Sequence, residues 1–201
     1  MDSVIKNDNM QGNLHLITGP MYSGKSTKLI ETYNNLLKCD DCVCSQVVVV
    51  THTLETRYSY DKLSSHDRKE LECIKVEDIQ TIINACSNTI SNKIQHAKYI
   101  MIDEAQFFPD LKKVIELVEK FNKSVFIYGL DCDFKRNKFG SILDLVPYCN
   151  TVQKLSGKCS YCDNKSHFSW RISNDKTTQI IVGSAEEYIA LCRLCYLKAS
   201  I

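Results

Sequence analysis

The stretch LITGPMYSGKST, residues 16–27, decides the fold of this chain. It fits the pattern G-x-x-x-x-G-K-[ST], in which the glycines let the backbone turn sharply and point several N–H groups inward. The lysine of this pattern reaches the β- and γ-phosphates of a nucleotide, and the hydroxyl after it is a ligand for Mg²⁺. A short apolar run precedes the motif and a helical pattern follows it, as a phosphate-binding loop requires.

The loop is therefore the first candidate site. Its residues are Gly19, Pro20, Met21, Tyr22, Ser23, Gly24, Lys25, Ser26 and Thr27. Lys25 is the predicted phosphate ligand, and Ser26 is a predicted ligand of Mg²⁺. Many unrelated proteins carry such a loop, so the motif predicts nucleotide binding without naming the acceptor of the phosphate.

Apolar runs alternate with helical stretches downstream of the loop. Strands are predicted at 14–18, 46–51, 98–102, 124–130 and 151–155, and helices at 25–38, 111–121 and 139–146. This alternation is typical of parallel strands joined by crossover helices, with helices on both faces of the sheet. We predict an α/β fold with a P-loop, RecA-like parallel sheet at residues 13–156, after a loose tail at 1–12 and before a small second module at 157–201.

Composition limits the class of protein. The chain has 201 residues, 44% of them hydrophobic, and a net charge of +1. These values suit one globular domain with a small appendage and argue against a dedicated nucleic-acid binder, which usually carries a basic excess. We expect a cytoplasmic protein that binds neither nucleic acid nor membrane, because the sequence shows neither a signal peptide nor an apolar run of membrane-spanning length.

The strand predicted at 98–102 runs directly into two acidic residues, Asp103 and Glu104. In a parallel sheet this strand end lies at the same edge as the phosphate loop. One carboxylate can hold the magnesium shell, and its neighbour is free to act as a base. Phe107 and Phe108 place two rings nearby, suited to stacking on a nucleobase or to ordinary core packing.

Two CxxC pairs lie in the C-terminal module. They are Cys159 with Cys162 and Cys192 with Cys195. Four thiolates at paired spacing predict a closed, structural Zn²⁺ site with a long loop between the pairs. The eleven cysteines are an odd number, which favours thiols and a metal site over disulfides. Cys39, Cys42 and Cys44 form a third cluster, which we interpret as packing or loop residues.

Together these pieces resemble one family, the zinc-containing thymidine kinases of the cellular and poxviral type. The matching segments are GPMYSGKST, ETRYS, SSHDR, IDEAQFFPD, GLDCDFKRNKFGSILDLVP, KLSGKCSYC and VGSAEEYIALCRLCY, in that order from about residue 14 to 198. The resemblance implies transfer of the ATP γ-phosphate to the 5′-hydroxyl of thymidine, and of deoxyuridine, with Mg²⁺ and a structural Zn²⁺. It also implies self-association as a homotetramer.

The resemblance assigns roles to individual residues. Glu104 would be the general base, Asp103 the acid associated with the metal, and Arg57 a group near the phosphates. The thymidine pocket would be lined by Met21, Phe107, Leu130, Phe134, Phe139 and Tyr188. The zinc site would anchor both ends of a segment at about 164–188, here named the lid, which closes over the nucleoside.

The chain departs from the family pattern at two places. Glu55 stands where the family usually has aspartate. The lid is about one residue longer than usual, and Ser169 stands at its threonine-like position. These changes bear on base selectivity and affinity more than on the reaction type.

Two other functions fit parts of the pattern. A small P-loop ATPase with a zinc module that binds nucleic acid would also need the loop, the acids and the cysteines, but the near-neutral charge counts against it. A catalytically dead relative with a scaffold role is disfavoured by the intact Lys25, Asp103 and Glu104.

Overall fold

The computed structural model describes residues 11–38, 46–55, 62–64, 70–88, 93–175, 177–179 and 187–200. The helices are α1 (Lys25–Leu37), α2 (Ile79–Ser87), α3 (Lys93–His96), α4 (Val114–Glu119) and α5 (Arg193–Ala199). The strands are β1 (Leu14–Thr18), β2 (Val47–His52), β3 (Lys62–Ser64), β4 (Glu70–Glu72), β5 (Ile74–Val76), β6 (Tyr99–Asp103), β7 (Ser124–Gly129), β8 (Thr151–Lys154), β9 (Gly157–Lys158), β10 (Lys165–Ser166), β11 (Phe168–Arg171) and β12 (Tyr188–Leu191). Within these ranges, no helix has the length and apolar character needed to cross a membrane.

Six strands form the central sheet in the order β5-β2-β6-β7-β1-β8, and every neighbouring pair is parallel. Strand β2 carries the run VVVV and is buried along its whole length, as expected for a parallel strand covered on both faces. One strand, β7, separates the phosphate-loop strand β1 from β6, which ends in Asp103. The predicted parallel α/β sheet is confirmed.

Helices cover both faces of the sheet. The residues of its strands alternate between two apolar cores, one on each face. Helices α2, α3 and α4 contribute to the larger core, together with alternate residues of β1, β2, β6 and β7. Helix α1 packs on the opposite face through Leu29 and Ile30, against Val49 and Met101. The helix after the phosphate loop is therefore seated by an apolar face, and its N-terminus stays at the carboxyl edge of the sheet.

Two predicted helices differ from those observed. The segment predicted at 111–121 begins with a 3₁₀ turn, Leu111–Lys113, before α4. The helix predicted at 139–146 is a 3₁₀ helix at Ile142–Tyr148, with Pro147 inside it. Proline has no N–H to donate to the preceding turn, so a regular α-helix is not sustained there.

The strand β5 and the helices α2 and α3 were not predicted from the sequence. Helix α2 nevertheless carries a readable signal, because Ile79, Ile82 and Ile83 are buried at helical spacing. Asp78 caps it by accepting the Thr81 N–H at 2.8 Å. A cap followed by this spacing is a standard helix start.

The C-terminal part has an apolar core of its own. Strand β9 pairs with β10 and β11 pairs with β12, both antiparallel, and α5 packs beside them. Phe168, Leu191 and Tyr196 are buried in this core together with Cys159 and Cys192. Packing and the cysteine cluster therefore occupy the same small volume.

Candidate active site

The phosphate loop joins β1 to α1 at the carboxyl edge of the sheet. Gly24 is the N-cap residue of α1 and has left-handed backbone angles, with φ 83°, which glycine adopts without steric cost. The Lys28 N–H donates to the Gly24 carbonyl at 2.8 Å and closes the first turn of the helix. The loop thus leads directly into the N-terminus of a 13-residue helix, whose free N–H groups favour an anion.

Lys25 is the buried cation of this loop. Its side chain is 9% exposed, and Nζ donates to the carbonyls of Gly19 at 3.2 Å and Pro20 at 2.8 Å. These bonds hold the ammonium group within the loop itself. A phosphate bound here would therefore meet a positioned charge, which is the role predicted for Lys25. Ser26 follows it and is half-buried.

Asp103 and Glu104 lie at the end of β6, beside the loop edge. Asp103 is the last residue of the strand and pairs with Thr51 of β2. It is 1% exposed, and Glu104 is 8% exposed. Burial, together with the charge of Asp103, raises the pKa of Tyr128 to about 12. The two carboxyl groups therefore form an enclosed acidic pair at the sheet edge.

Glu104 is held by an unusual backbone conformation and by a neighbouring amide. Its φ and ψ are 50° and 40°, in the left-handed region, which is uncommon for a residue with a side chain. Nε2 of Gln106 donates to Oε2 of Glu104 at 2.6 Å, and Oε1 of Gln106 accepts from the Leu130 N–H at 2.9 Å. Gln106 therefore joins the acid after β6 to the residue after β7.

An aromatic group stands beside these acids. Phe107 and Phe139 meet edge to face, with ring centroids 5.8 Å apart. Phe107 is half-buried, so part of its ring remains open to a ligand. Phe108 is 1% exposed and belongs to the core of the sheet. Of the two adjacent rings, Phe108 is therefore the one used in ordinary core packing, and Phe107 is the one left partly exposed.

The sheet edge also carries a buried histidine, His52, at the end of β2. Its ring lies edge-on to Phe108, at 4.9 Å between centroids, and Nδ1 accepts from the Leu54 N–H at 3.0 Å. Burial lowers the pKa of His52. The imidazole therefore packs against Phe108 in the core, and its centroid lies 6.2 Å from that of the Phe107 ring.

The lid touches the phosphate loop directly. The backbone N–H of Met21 donates to Oγ of Ser169 on β11 at 2.9 Å. Ser169 is buried, so this bond is shielded from water. Met21 occupies a free position of the phosphate-loop pattern, yet the structure uses it to join the loop to the lid.

Tyr188 lies opposite Arg171 in the β11–β12 pair. Its hydroxyl accepts from Nε of Arg171 at 3.0 Å. The guanidinium carbon of Arg171 lies 4.0 Å from the ring centroid of Phe134. Through Arg171 the structure brings together Tyr188 and Phe134, two residues that the resemblance placed in one pocket.

The four cysteines of the CxxC pairs converge. Their sulfur atoms all lie within 4.8 Å of one another, with 3.6 Å from Cys162 to Cys192 and 3.7 Å from Cys195 to Cys162. A tetrahedral zinc–thiolate site with bonds of about 2.3 Å needs sulfur separations in this range. The Cys195 N–H donates to Cys192 Sγ and lowers the pKa of that thiol. The donor set therefore fits a structural metal ion.

This cluster is tied by the residue after Cys195 to the loop that carries Asp133 and Phe134, here named the pocket loop. The hydroxyl of Tyr196 donates to the backbone carbonyl of Phe134 at 2.7 Å. The guanidinium of Arg136 lies 4.6 Å from the Tyr196 ring centroid and 5.6 Å from that of Phe168. The loop that carries Phe134 is thus held from the side of the cysteine module, a link that sequence reasoning missed.

Some predicted positions lie outside the described residues. These are Arg57, the cluster Cys39, Cys42 and Cys44, and the lid residues 176 and 180–186. Glu55 is described and is 1% exposed, and its backbone carbonyl accepts from Nζ of Lys75 at 2.8 Å.

Comparison with known proteins identifies the family. The thymidine kinase family model matches residues 12–196. The chain belongs to the thymidine kinase family. It is 34% identical over 191 residues to the cytosolic thymidine kinase of Cricetulus griseus, covering 94% of this chain and 75% of the relative. The cytosolic thymidine kinase of Homo sapiens is 33% identical over 193 residues, with 94% and 74% covered. The thymidine kinase of Yaba monkey tumor virus is 36% identical over 187 residues, with 93% and 96% covered.

The family match extends from the first strand of the sheet to the last cysteine pair. It confirms the resemblance stated from the motifs and disfavours the alternative of a nucleic-acid-binding ATPase. The solved structure of the Legionella pneumophila ATPase DotB aligns at a TM-score of 0.42 and 13% identity, covering 82% of this chain and 46% of that one. A likeness this low bears on neither fold nor function.

Proposed function

We propose that this chain transfers the γ-phosphate of ATP to the 5′-hydroxyl of thymidine. Family membership supports the reaction class. The observation that carries the proposal is the Gln106 bridge, which links the buried carboxylate of Glu104 to Leu130 at the predicted nucleoside pocket. An acid so placed serves an alcohol acceptor in the pocket rather than water in the open.

In this reaction Glu104 accepts the proton of the nucleoside 5′-hydroxyl while the 5′-oxygen forms a bond to the γ-phosphorus of ATP. The bond from that phosphorus to the β,γ-bridging oxygen breaks, and ADP leaves. A carboxylate is competent for this step when it is ionised and within hydrogen-bond reach of the hydroxyl. The left-handed backbone of Glu104 and the amide of Gln106 support such an orientation.

Lys25 binds the phosphates, and its burial makes the charge more effective than it would be in water. Ser26 and Asp103 offer a hydroxyl and a buried carboxylate, hard oxygen donors that suit Mg²⁺. Mg²⁺ held there would neutralise charge that develops on the phosphate oxygens. Arg57 is proposed to contact the phosphates on the strength of the family resemblance alone.

The nucleoside is proposed to bind among Met21, Leu130, Tyr188 and the phenylalanines 107, 134 and 139. An apolar slot at Met21 and Leu130 would accept the 5-methyl group of thymine. One methyl group contributes only about 1–3 kcal/mol to discrimination, so deoxyuridine is expected to be a weaker second substrate.

The cysteine cluster is proposed to hold Zn²⁺ as a structural ion. Bound by four thiolates, zinc has no open position for catalysis and instead contributes folding free energy. Tyr196 follows the last ligand and holds the carbonyl of Phe134. The cysteine module would thereby fix the position of the lid relative to the pocket loop.

We also propose that the chain assembles as a homotetramer, as the family resemblance implies. Strand β8 ends the central sheet and is exposed throughout. The apolar residues Leu143, Val146, Tyr148 and Val152 are exposed in the same region. An open sheet edge with apolar neighbours favours association. Light scattering after size-exclusion chromatography, with the variant Val152→Lys, would test the assembly.

The reaction is tested by product analysis with ATP and a panel of four nucleosides: thymidine, deoxyuridine, deoxycytidine and deoxyadenosine. Thymidine should yield its monophosphate at the highest kcat/KM, with deoxyuridine next. Hydrolysis of ATP without any nucleoside monophosphate would refute the kinase proposal. A filter-binding assay with single-stranded DNA and RNA separates out the ATPase alternative, which requires tight binding that weakens with salt.

A further inference from the structure

Arg171 is the largest of the fully buried side chains in the part of the chain that the structure describes, with 0% exposed. It ends strand β11 and lies within the lid. A buried cation is costly unless its hydrogen-bonding groups are satisfied. Its burial therefore calls for partners, and the structure supplies them.

The guanidinium group has five N–H donors, and each has an acceptor. Nε donates to Tyr188 Oη at 3.0 Å, and Nη2 donates to the same oxygen and to the Gln179 carbonyl at 2.9 Å. Nη1 donates to the carbonyls of Asp175, at 3.1 Å, and Thr178. Three backbone carbonyls of the lid, those of Asp175, Thr178 and Gln179, therefore converge on the guanidinium group of one side chain.

Hydrogen bonds to the side chain of Asp175 also stabilise this part of the lid. Oδ1 of Asp175 accepts from the backbone N–H of Thr177 at 2.8 Å and of Thr178 at 3.1 Å. These bonds turn the carbonyls of the segment toward Arg171. Nε2 of Gln179 donates to Oδ2 of Asp133 at 2.9 Å and so fastens the turn to the pocket loop.

Arg171 itself also contacts the pocket loop, at the ring of Phe134. The guanidinium carbon stands 4.0 Å from the ring centroid of Phe134. Arginine stacks on aromatic rings in this way, and the contact strengthens when it is shielded from water. One residue thus joins the lid turn, Tyr188 and Phe134.

We propose that Arg171 is the positioning residue of the lid, acting on the nucleoside through Tyr188 and Phe134 rather than touching it. The proposal rests on the proposed function. Its planar fork, and not its charge alone, performs this role, because the five N–H groups of one guanidinium donate to four acceptor atoms, with Tyr188 Oη accepting twice. A lysine has three donors and no such plane.

The test compares Arg171→Lys and Arg171→Met with the parent enzyme. Both variants should raise the KM for thymidine by about ten-fold or more while the KM for ATP changes by less than about two-fold. Arg171→Lys should resemble Arg171→Met, because the charge without the fork leaves the lid carbonyls unpaired. If Arg171→Lys retains the parent KM for thymidine, charge alone suffices and the proposal is overturned.

Arg193 supplies a matched control. It lies in the same module, is exposed, and stacks on Phe168 at 5.0 Å without entering the lid turn. Arg193→Lys and Arg193→Met should leave both KM values within about two-fold of the parent. If they raise the KM for thymidine as much as the Arg171 variants do, the effect belongs to the module in general and the proposal fails.

Zinc content and binding of a fluorescent ATP analogue report whether each variant is folded. If the Arg171 variants do not fold, Tyr188→Phe decides, because it removes the oxygen that accepts two of the five bonds. It should raise the KM for thymidine with ATP unaffected, and an unchanged KM would overturn the proposal. The proposed function fails in a different way, when the parent enzyme itself forms no thymidine monophosphate.

Discussion

Gln106 donates a hydrogen bond of 2.6 Å from Nε2 to Oε2 of Glu104, and both side chains are buried. The same amide group accepts from the Leu130 N–H at 2.9 Å. The acid is thus oriented by a residue two positions later, which is itself fixed by the neighbouring strand. Hydrogen bonding to a carboxylate favours its ionised form, the form that a base requires.

Replacing Gln106 by methionine should lower kcat by about ten- to a hundred-fold, because the base loses its orientation, while both KM values stay within about two-fold. Steady-state kinetics measure this. Gln80→Met is the matched control, since the side chain of Gln80 on α2 donates through Nε2 to Oδ1 of Asn84, away from the acids. A Gln106→Met enzyme with the parent kcat would show that the bridge does not serve the base.

The variant Gln106→Glu tests the same bridge by charge. Two carboxylates in contact disfavour ionisation of one of them. The acidic limb of the kcat profile should therefore move to higher pH, and activity near neutral pH should fall. A profile that superimposes on that of the parent would contradict a role for the amide in keeping Glu104 ionised.

Glu104→Gln should reduce kcat by about a hundred-fold or more, because an amide cannot accept the proton. ATP affinity should persist, since Lys25 and the loop are unchanged. Turnover is measured by thymidine monophosphate formation, and ATP affinity by equilibrium binding. Glu119→Gln, at an exposed position of α4, is the control. Nearly normal turnover in Glu104→Gln would remove this residue as the base.

Tyr196→Phe should lower stability by about 1–3 kcal/mol, because the buried carbonyl of Phe134 loses its donor. It should also raise the KM for thymidine more than that for ATP. Chemical denaturation and kinetics measure the two effects. Tyr161→Phe is the control within the same module, since Tyr161 is 63% exposed and should show neither change.

The purified protein should contain about one zinc ion per chain. Removing it with a chelator should abolish thymidine phosphorylation before ATP binding is lost, because the cysteine module holds the pocket loop and the sheet holds the phosphate loop. Metal analysis and parallel binding assays follow the two. A metal-free enzyme with full activity would refute the anchoring role.

Gly140→Ala should destabilise the protein by about 2–4 kcal/mol, because an added Cβ would lie 2.5 Å from the Gln106 carbonyl, at a φ of 58°. Asn122→Ala separates the two causes, since Asn122 has a φ of 55° on an exposed turn. It should cost only about 1 kcal/mol, the strain without the clash. Equal losses in thermal unfolding would mean that the approach to Gln106 is unimportant.

The sequence was sufficient to predict the phosphate loop and the two strands that lead into the site, β1 before the loop and β6 before Glu104. The glycines, Lys25 and the apolar run before Asp103 are local signals. Such signals suffice here because the site residues lie within, or directly after, the strands that the same stretches predict. The helix α2 was missed although Asp78 and Ile79 mark its start. That omission leaves the order of the strands in the sheet unaffected.

The roles of Gln106, Arg171 and Tyr196 were not predicted, since each depends on a partner distant in sequence. Gln106 bonds Leu130, and Tyr196 bonds Phe134 across 62 positions. A charged residue among the apolar ones of HFSWRI was a visible signal for Arg171. Which carbonyls it binds was not readable, because that depends on how the lid turns.

By itself the sequence determined the phosphate loop, the acidic pair and the two cysteine pairs, because each is encoded within a few consecutive residues. The alternation of apolar and helical stretches along the chain also determined the parallel sheet. Only the tertiary structure decided that Phe107 stays partly exposed while Phe108 is buried in the core. It alone joined Glu104 to the pocket through Gln106, and the lid to the phosphate loop through Ser169 and Met21. Leu130 and Ser169 lie far along the chain from their partners, so these contacts form only when the chain folds.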